Sequence, residues 1–343
     1  MFSRARCFWR VPTGRRRFVA GLAGVLIGGL VLGACSTPNS PPVPASCTTA
    51  PATAATPGTA HASAAAPHIM VLVMENESYD QIVGNSAAPY INSLANTYLR
   101  ATCSYANAHN SLPNYLEMIS GHAYEASGTE NDCTPSSCGP IAGTDIAGQL
   151  DAAGISWKAF MGAMPSDCDS SDAGGSGGYG VRHDPFVYFP PGRASPECGN
   201  DVPSTGLLAA LNSSTPPVFV FYSPSICEDG GNDAPCSTIT NGDRFLGERI
   251  PAIMATSWYL DGGTIILTWD ESTGGDSSGR YGDKGGHVLT VVISASTKGD
   301  KPSDRYVDSA GILRTVEHAY GLSYLGAAAQ SHSGSLPLAT SGH

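Results

Sequence analysis

Ile69-Met70-Val71-Leu72-Val73-Met74-Glu75-Asn76-Glu77-Ser78-Tyr79-Asp80 passes without a break from six apolar residues into a polar run that is half acidic. A continuous apolar stretch of this length, β-branched at alternate positions, is the pattern of a strand buried on both faces. Thr264-Ile265-Ile266-Leu267-Thr268-Trp269 repeats it and runs straight into Asp270-Glu271-Ser272. Val218–Tyr222 and Val288–Ile293 have the same character, the second preceded by Gly285-Gly286-His287. Between these strands, Pro89–Leu99, Ile146–Ala153, Gly206–Leu211, Asp243–Tyr259 and Gly311–Tyr320 carry apolar residues at spacings of three and four, and Asp308 or Ser309 is placed to cap the last helix. The alternation predicts an α/β fold with a central, mostly parallel β-sheet and helices on both faces. Ligands in such sheets sit outside the carboxyl ends of the strands, which is where the acidic residues of this chain collect.

The 343 residues are 41% hydrophobic and 14% charged, enough for one large core or two modest ones. With 18 basic against 29 acidic residues, the formal charge of −11 excludes a nucleic-acid binder held by phosphate contacts. One stretch alone, Phe18–Ala34, is apolar enough to cross a bilayer, which excludes a polytopic membrane protein. It follows six arginines and reads as a signal peptide. Leu32-Gly33-Ala34-Cys35 resembles a lipobox, so Cys35 is the expected lipid anchor to a membrane. Arg15-Arg16-Arg17-Phe18-Val19 reads either as a twin-arginine export signal or as a merely basic leader. The expected organisation is a lipoprotein-type signal peptide over 1–34, a disordered Ser/Thr/Pro/Ala tether over 35–67, a catalytic domain over 68–325 and a flexible tail over 326–343. The product would be a monomer, exported and then lipid-anchored to the outer face of the cell membrane or secreted.

Eight cysteines follow Cys35, an even number that in an exported chain points to disulfides before metal. Cys133/Cys138 and Cys227/Cys236 are spaced to staple single loops, and Cys168/Cys198 would close the Gly-Ser-Asp-rich loop between them. Cys47/Cys103 is left by elimination.

Two acidic pairs at strand ends, Glu75 with Asn76 and Asp270 with Glu271, offer hard oxygen donors to one cation, or else are solvated strand ends. In Ala108-His109-Asn110-Ser111-Leu112-Pro113-Asn114-Tyr115-Leu116-Glu117-Met118, a serine opens an apolar run that reads as a helix, with Pro113 suited to its first turn. Ser111 there is either an N-cap or a nucleophile beside backbone N–H groups that hold a phosphate. No Gly-x-Ser-x-Gly run stands between an expected strand and an expected helix, which disfavours a serine hydrolase of the α/β type.

Met74-Glu75-Asn76-Glu77-Ser78-Tyr79-Asp80, Ser111-Leu112-Pro113-Asn114-Tyr115, Leu267-Thr268-Trp269-Asp270-Glu271, Gly285-Gly286-His287-Val288 and Leu313-Arg314-Thr315-Val316-Glu317 occur in that order. In this the chain resembles the bacterial phosphoesterase family of acid phosphatases and phospholipases C, within the alkaline-phosphatase-like superfamily. The resemblance covers His68 to Leu322 and implies a phosphate-ester substrate and an alkaline-phosphatase-like fold, to which the cysteine spacing adds disulfide-stapled loops. It implies that Ser111 is the nucleophile and that Glu75, Asn76, Asp270 and Glu271 bind one divalent metal ion. It also implies that His109, His183 and His287 surround the phosphate, and that Asn114, Lys158 and Arg182 bind substrate. Two departures stand out. Glu228-Asp229-Gly230-Gly231-Asn232-Asp233 lacks the histidine usual after the central strand, and Ser309-Ala310-Gly311 stands where the family often has His-Tyr-Ser. Losing these imidazoles argues against a second metal ion, although Asp229 and Asp233 remain available as ligands. The leading expectation is an acid phosphatase, with a phospholipase C and a catalytically weak surface-binding lipoprotein as alternatives.

Overall fold

Strict alternation along β1 (Ile69–Met74) divides the interior in two. Ile69, Val71 and Val73 enter one apolar cluster while Met70, Leu72 and Met74 enter another, all fully buried. The computed structural model describes residues 47–48, 66–172, 178–189, 199–232, 234–330 and 332–338. The predicted signal peptide, Cys35, most of the tether, Cys198 and Asp233 lie outside the described residues.

The remaining strands are β2 (Leu99–Ala101), β3 (Trp157–Met161), β4 (Asp201–Pro203), β5 (Phe219–Ser223), β6 (Thr264–Trp269) and β7 (Thr290–Ile293). The helices are α1 (Tyr79–Ile82), α2 (Pro89–Thr97), α3 (Ser111–Ser120), α4 (Pro135–Cys138), α5 (Ile146–Ala153), α6 (Leu207–Leu211), α7 (Ile239–Met254), α8 (Ser257–Leu260) and α9 (Ser309–Tyr320). The sheet order is β2-β7-β6-β1-β5-β3-β4, with β1 central and parallel to both neighbours. The mostly parallel expectation holds, with β7 the exception, antiparallel to β6 and β2. Helices α3, α5 and α9 cover one face and α2, α6, α7 and α8 the other.

The departures from expectation have local causes. β3 and β4 escape the apolar-run test because Trp157-Lys158-Ala159-Phe160-Met161 lacks β-branched residues and Asp201–Pro203 is short and polar. Leu99, expected to end a helix, belongs to β2, because α2 stops at Thr97 and Tyr98 turns extended. The helix expected over Asp243–Tyr259 is two helices. Thr238 caps α7 by accepting the Asn241 N–H (3.2 Å), which moves its start upstream, and the Thr256 side chain starts α8 afresh. Asp308, not Ser309, caps α9, accepting the Gly311 N–H at 2.6 Å.

Three expected disulfides are formed, Cys47–Cys103, Cys133–Cys138 and Cys227–Cys236, while the partner expected for Cys168 lies outside the described residues. Residues 326–330 and 332–338 are not a free tail. Leu336 is buried against the α3–α9 face, its N–H donates to Thr315 Oγ1 (2.9 Å), and Arg314 holds the carbonyls of Ala328 and Gln330.

Candidate active site

The register Met74↔Trp269 puts the next residues, Glu75 and Asp270, side by side where β1 and β6 end. Both are fully buried. The Asp270 N–H continues the ladder to Met74 O (3.0 Å), and Asp270 Oδ1 accepts the Asn76 N–H at 3.1 Å. Asn76 takes the left-handed conformation (φ 45°), which asparagine tolerates better than most residues, and its side-chain amide donates to Glu75 Oε2 (2.9 Å). Opposite, Ser111 is the first residue of α3, a helix buried along its whole length, and its hydroxyl donates to Glu75 Oε2 at 3.0 Å. Loop 229–231 presses on this pair: a Cβ at Gly231 would stand 2.9 Å from Glu75 Cβ, so the close approach requires glycine.

His183, at the end of the turn Val181–His183, is buried and stacked on Tyr115, with Nε2 3.3 Å from Glu75 Oε1 and Nδ1 3.9 Å from Asp229 Oδ2. Burial first, and then the neighbouring Arg182, holds its pKa well below the ordinary histidine value, so the ring is neutral. His109 is half-exposed and behaves oppositely. Its Nδ1 pairs with Glu271 Oε2 and its Nε2 with the Asp276 carbonyl (2.8 Å), two acceptors that together suit a doubly protonated ring. The Glu271 hydrogen bond is the main cause of its raised pKa. Asp270 is also raised well above the carboxylate range, by burial and then by the charge of Glu271.

Asn76, His109, Ser111, Asp132, Arg182 and Glu271 line a cavity of about 590 Å³, together with Thr273-Gly274-Gly275. Among the described residues, Arg182 and His109 are its basic groups.

Ser111, His109, His183, Arg182, Glu75, Asn76, Asp270 and Glu271 are therefore brought together, and three expected residues are not. His287 packs between Tyr79 (4.2 Å) and Tyr105 (4.8 Å), and its Nε2 is matched to the Thr102 carbonyl, so its ring serves the stack. Lys158 lies near the start of β3, away from the carboxyl ends, and its ammonium donates to Gly199 O. Asn114 is fully buried beneath the cavity, with its side chain on the preceding backbone. The phosphate cradle expected at the start of α3 is also reduced. Pro113 has no N–H, and the Leu112 N–H is taken by Asp132 Oδ1 (2.9 Å). Asp132 was not legible as a site residue because twenty positions separate it from its partner.

The metal expectation can be tested on the donors. Asp270 Oδ2 is buried and receives no hydrogen bond, and Glu75 and Ser111 lie close enough to bear on its carboxyl. An oxygen set of Glu75, Asn76, Ser111 and Asp270 fits a hard divalent cation. Glu271 is turned to His109, and among the described residues no three His, Cys, Asp or Glu side chains form a metal-holding group. The fit thus rests on two carboxylates with neutral oxygens rather than on the four-residue set expected.

The sequence model of the phosphoesterase family matches residues 85–323, a span that includes Ser111, Asp270 and Glu271. The chain is 27% identical over 256 residues to a phosphatidylinositol-3-phosphatase of Mycobacterium tuberculosis, covering 74% of this chain and 77% of the relative. Its fold is similar to that of an alkaline phosphatase superfamily protein from Vibrio parahaemolyticus (TM-score 0.52, 15% identity, covering 86% of this chain and 74% of the other). It is similar as well to a phosphonate monoester hydrolase of Agrobacterium radiobacter (TM-score 0.50, 14% identity, 79% and 78% covered).

Proposed function

The chain belongs to the phosphoesterase family and is a hydrolase of phosphate esters, and from that premise we propose that it is an exported phosphomonoesterase acting through a phosphoserine at Ser111. The observation that carries the proposal is the 3.0 Å hydrogen bond from the Ser111 hydroxyl to Glu75 Oε2 at the floor of the cavity. A serine hydroxyl is a weak nucleophile until a base takes its proton, and this carboxylate oxygen is in place to do so.

Attack on phosphorus forms the Oγ–P bond and breaks the bond to the leaving alkoxide, which takes up a proton. Water then cleaves the phosphoserine and releases phosphate. Arg182 and the His109 imidazolium face the dianion and offset its charge in an otherwise acidic wall. His109 acts here by charge, since both ring nitrogens are engaged by Glu271 and Asp276. Neutral His183 lies against Glu75 and Asp229 and orients the carboxylate rather than meeting the substrate. Glu75, Asn76 and Asp270, with Ser111, would hold a divalent ion, which when bound supplies positive charge to the phosphoryl oxygens.

The mycobacterial relative supports a monoester on an inositol lipid as the substrate class. Three disulfides support an oxidising compartment, and the lipobox-like Leu32-Gly33-Ala34-Cys35 supports attachment of the exported protein to a membrane. The test is turnover of p-nitrophenyl phosphate, p-nitrophenyl phosphorylcholine and vesicle-borne phosphatidylinositol 3-phosphate, each with and without EDTA. Turnover of the two monoesters, lost with the chelator, is expected. Turnover of the diester alone would replace the proposal with a phospholipase C, and turnover that survives complete metal removal would eliminate the ion.

A further inference from the structure

Asn114 stands one turn into α3, fully buried, and both ends of its side-chain amide are turned to the backbone just upstream of Ser111. Oδ1 accepts from the N–H groups of Asn107 and Ala108, both at 3.0 Å, with the Ser309 hydroxyl at 3.4 Å. Nδ2 donates to the carbonyls of Ala108 (2.8 Å) and Asn110 (3.0 Å). An amide has two donor hydrogens and two acceptor lone pairs, so these backbone groups use its capacity and leave none for a substrate. The segment so held runs from Asn107 to the N-cap of α3 and carries His109 to Glu271. Its outer end is tied as well: Asn107 Oδ1 accepts the Ser309 N–H (2.8 Å) and its Nδ2 donates to Asp283 Oδ1 (3.1 Å).

We infer that Asn114 is a positioning residue that fixes the backbone leading into Ser111, and thereby aims the nucleophile at phosphorus and His109 at Glu271. The inference rests on the proposal that Ser111 is the nucleophile. Its chemical content is that the position needs an acceptor and a donor at once. Aspartate has the same shape but would set a carboxylate oxygen against two carbonyl oxygens, and so separates aim from volume.

The test is Asn114→Asp in the full exported protein, read by kcat and KM for p-nitrophenyl phosphate, the Ki of inorganic phosphate and Tm. We expect kcat to fall by roughly 100-fold, as for a reacting group displaced by about an ångström, with KM and Ki within about threefold of the unaltered protein. A kcat within about twofold would overturn the inference. So would a loss carried by KM and Ki with kcat retained, which would make Asn114 a direct phosphate ligand. Should the variant fail to fold, amide hydrogen exchange on the unaltered protein decides. The Asn107 and Ala108 amides should exchange as slowly as the core of α3, and exchange at the rate of an open loop would refute the clamp. An unaltered protein that turns over no phosphate ester would refute the proposed function while leaving this exchange result to stand by itself.

Discussion

Ser111, Glu75 and Asp270 come from three segments far apart in the chain and meet at two strand ends and one helix start. Each carries a separable part of the chemistry. Ser111→Ala removes the proposed nucleophile and leaves the acidic group intact, so turnover should fall by roughly 1,000-fold or more with inorganic phosphate still bound. Steady-state kinetics beside a phosphate-inhibition curve checks this, and near-normal turnover would rule out Ser111 as nucleophile. Ser111 and its strand-end partners were legible because a serine opening an apolar helical run and acids ending apolar strands are local patterns. Asp132 was not, nor were the exclusions of His287 and Lys158. Whether a polar side chain faces a cavity, a tyrosine pair or a loop carbonyl depends on what the fold brings opposite it.

At the scale of elements, the register of β1 on β6 aligns the acids, and loop 229–231 fixes one of them from the side. Gly231→Ala would put a methyl group 2.9 Å from Glu75 Cβ and 3.3 Å from Ser237 Oγ, closer than packed carbons tolerate. The loop or Glu75 must shift by a few tenths of an ångström. We expect kcat to drop roughly tenfold with a loss of about 1–3 kcal/mol in stability. Urea unfolding and kinetics on one preparation measure both, and an unchanged kcat would show that the loop yields instead of Glu75. Strands β1 and β6 and helix α5 are legible from end to end because their periodicities are uninterrupted. β2, β3 and β4 were missed because short or weakly β-branched strands owe their existence to a neighbour already in place.

The whole molecule keeps several carboxyls buried. Burial raises Glu317 to about 8 from 4.5, against the Leu325 N–H and Arg314, and partial burial raises Asp283 to about 8 from 3.8, helped by the charge of Asp308. A carboxyl whose pKa is higher in the folded state is neutral in both states at low pH. As pH rises past the unfolded value the unfolded chain ionises first, so the contribution to stability is lost progressively until the folded pKa is reached. Neutral His183 works in the other direction below its ordinary value of 6.5. Stability should therefore decline from about pH 5 to about pH 8, and Glu317→Gln, which keeps an acceptor for the Leu325 N–H (2.8 Å), should flatten that decline. Thermal unfolding across this range tests it, and a profile that rises toward pH 8 would contradict it. The proposed export belongs to this scale too. Cys35→Ala should move the protein from the membrane fraction to the medium, and an unchanged membrane fraction would refute the anchor.

The sequence by itself determined the α/β class and the central strands, and it marked the strand-end acids and Ser111 as candidates, because periodicity and strand-end composition act over a few residues. Only the tertiary structure decided the reversal of β7, the packing of residues 326–330 and 332–338, the opposite pKa shifts of His109 and His183, and the turn of the Asn114 amide onto the backbone upstream of Ser111. Each of those depends on which groups the fold sets against one another at hydrogen-bond distance, and on how much water it leaves between them. Neither quantity is a property of a short stretch of chain.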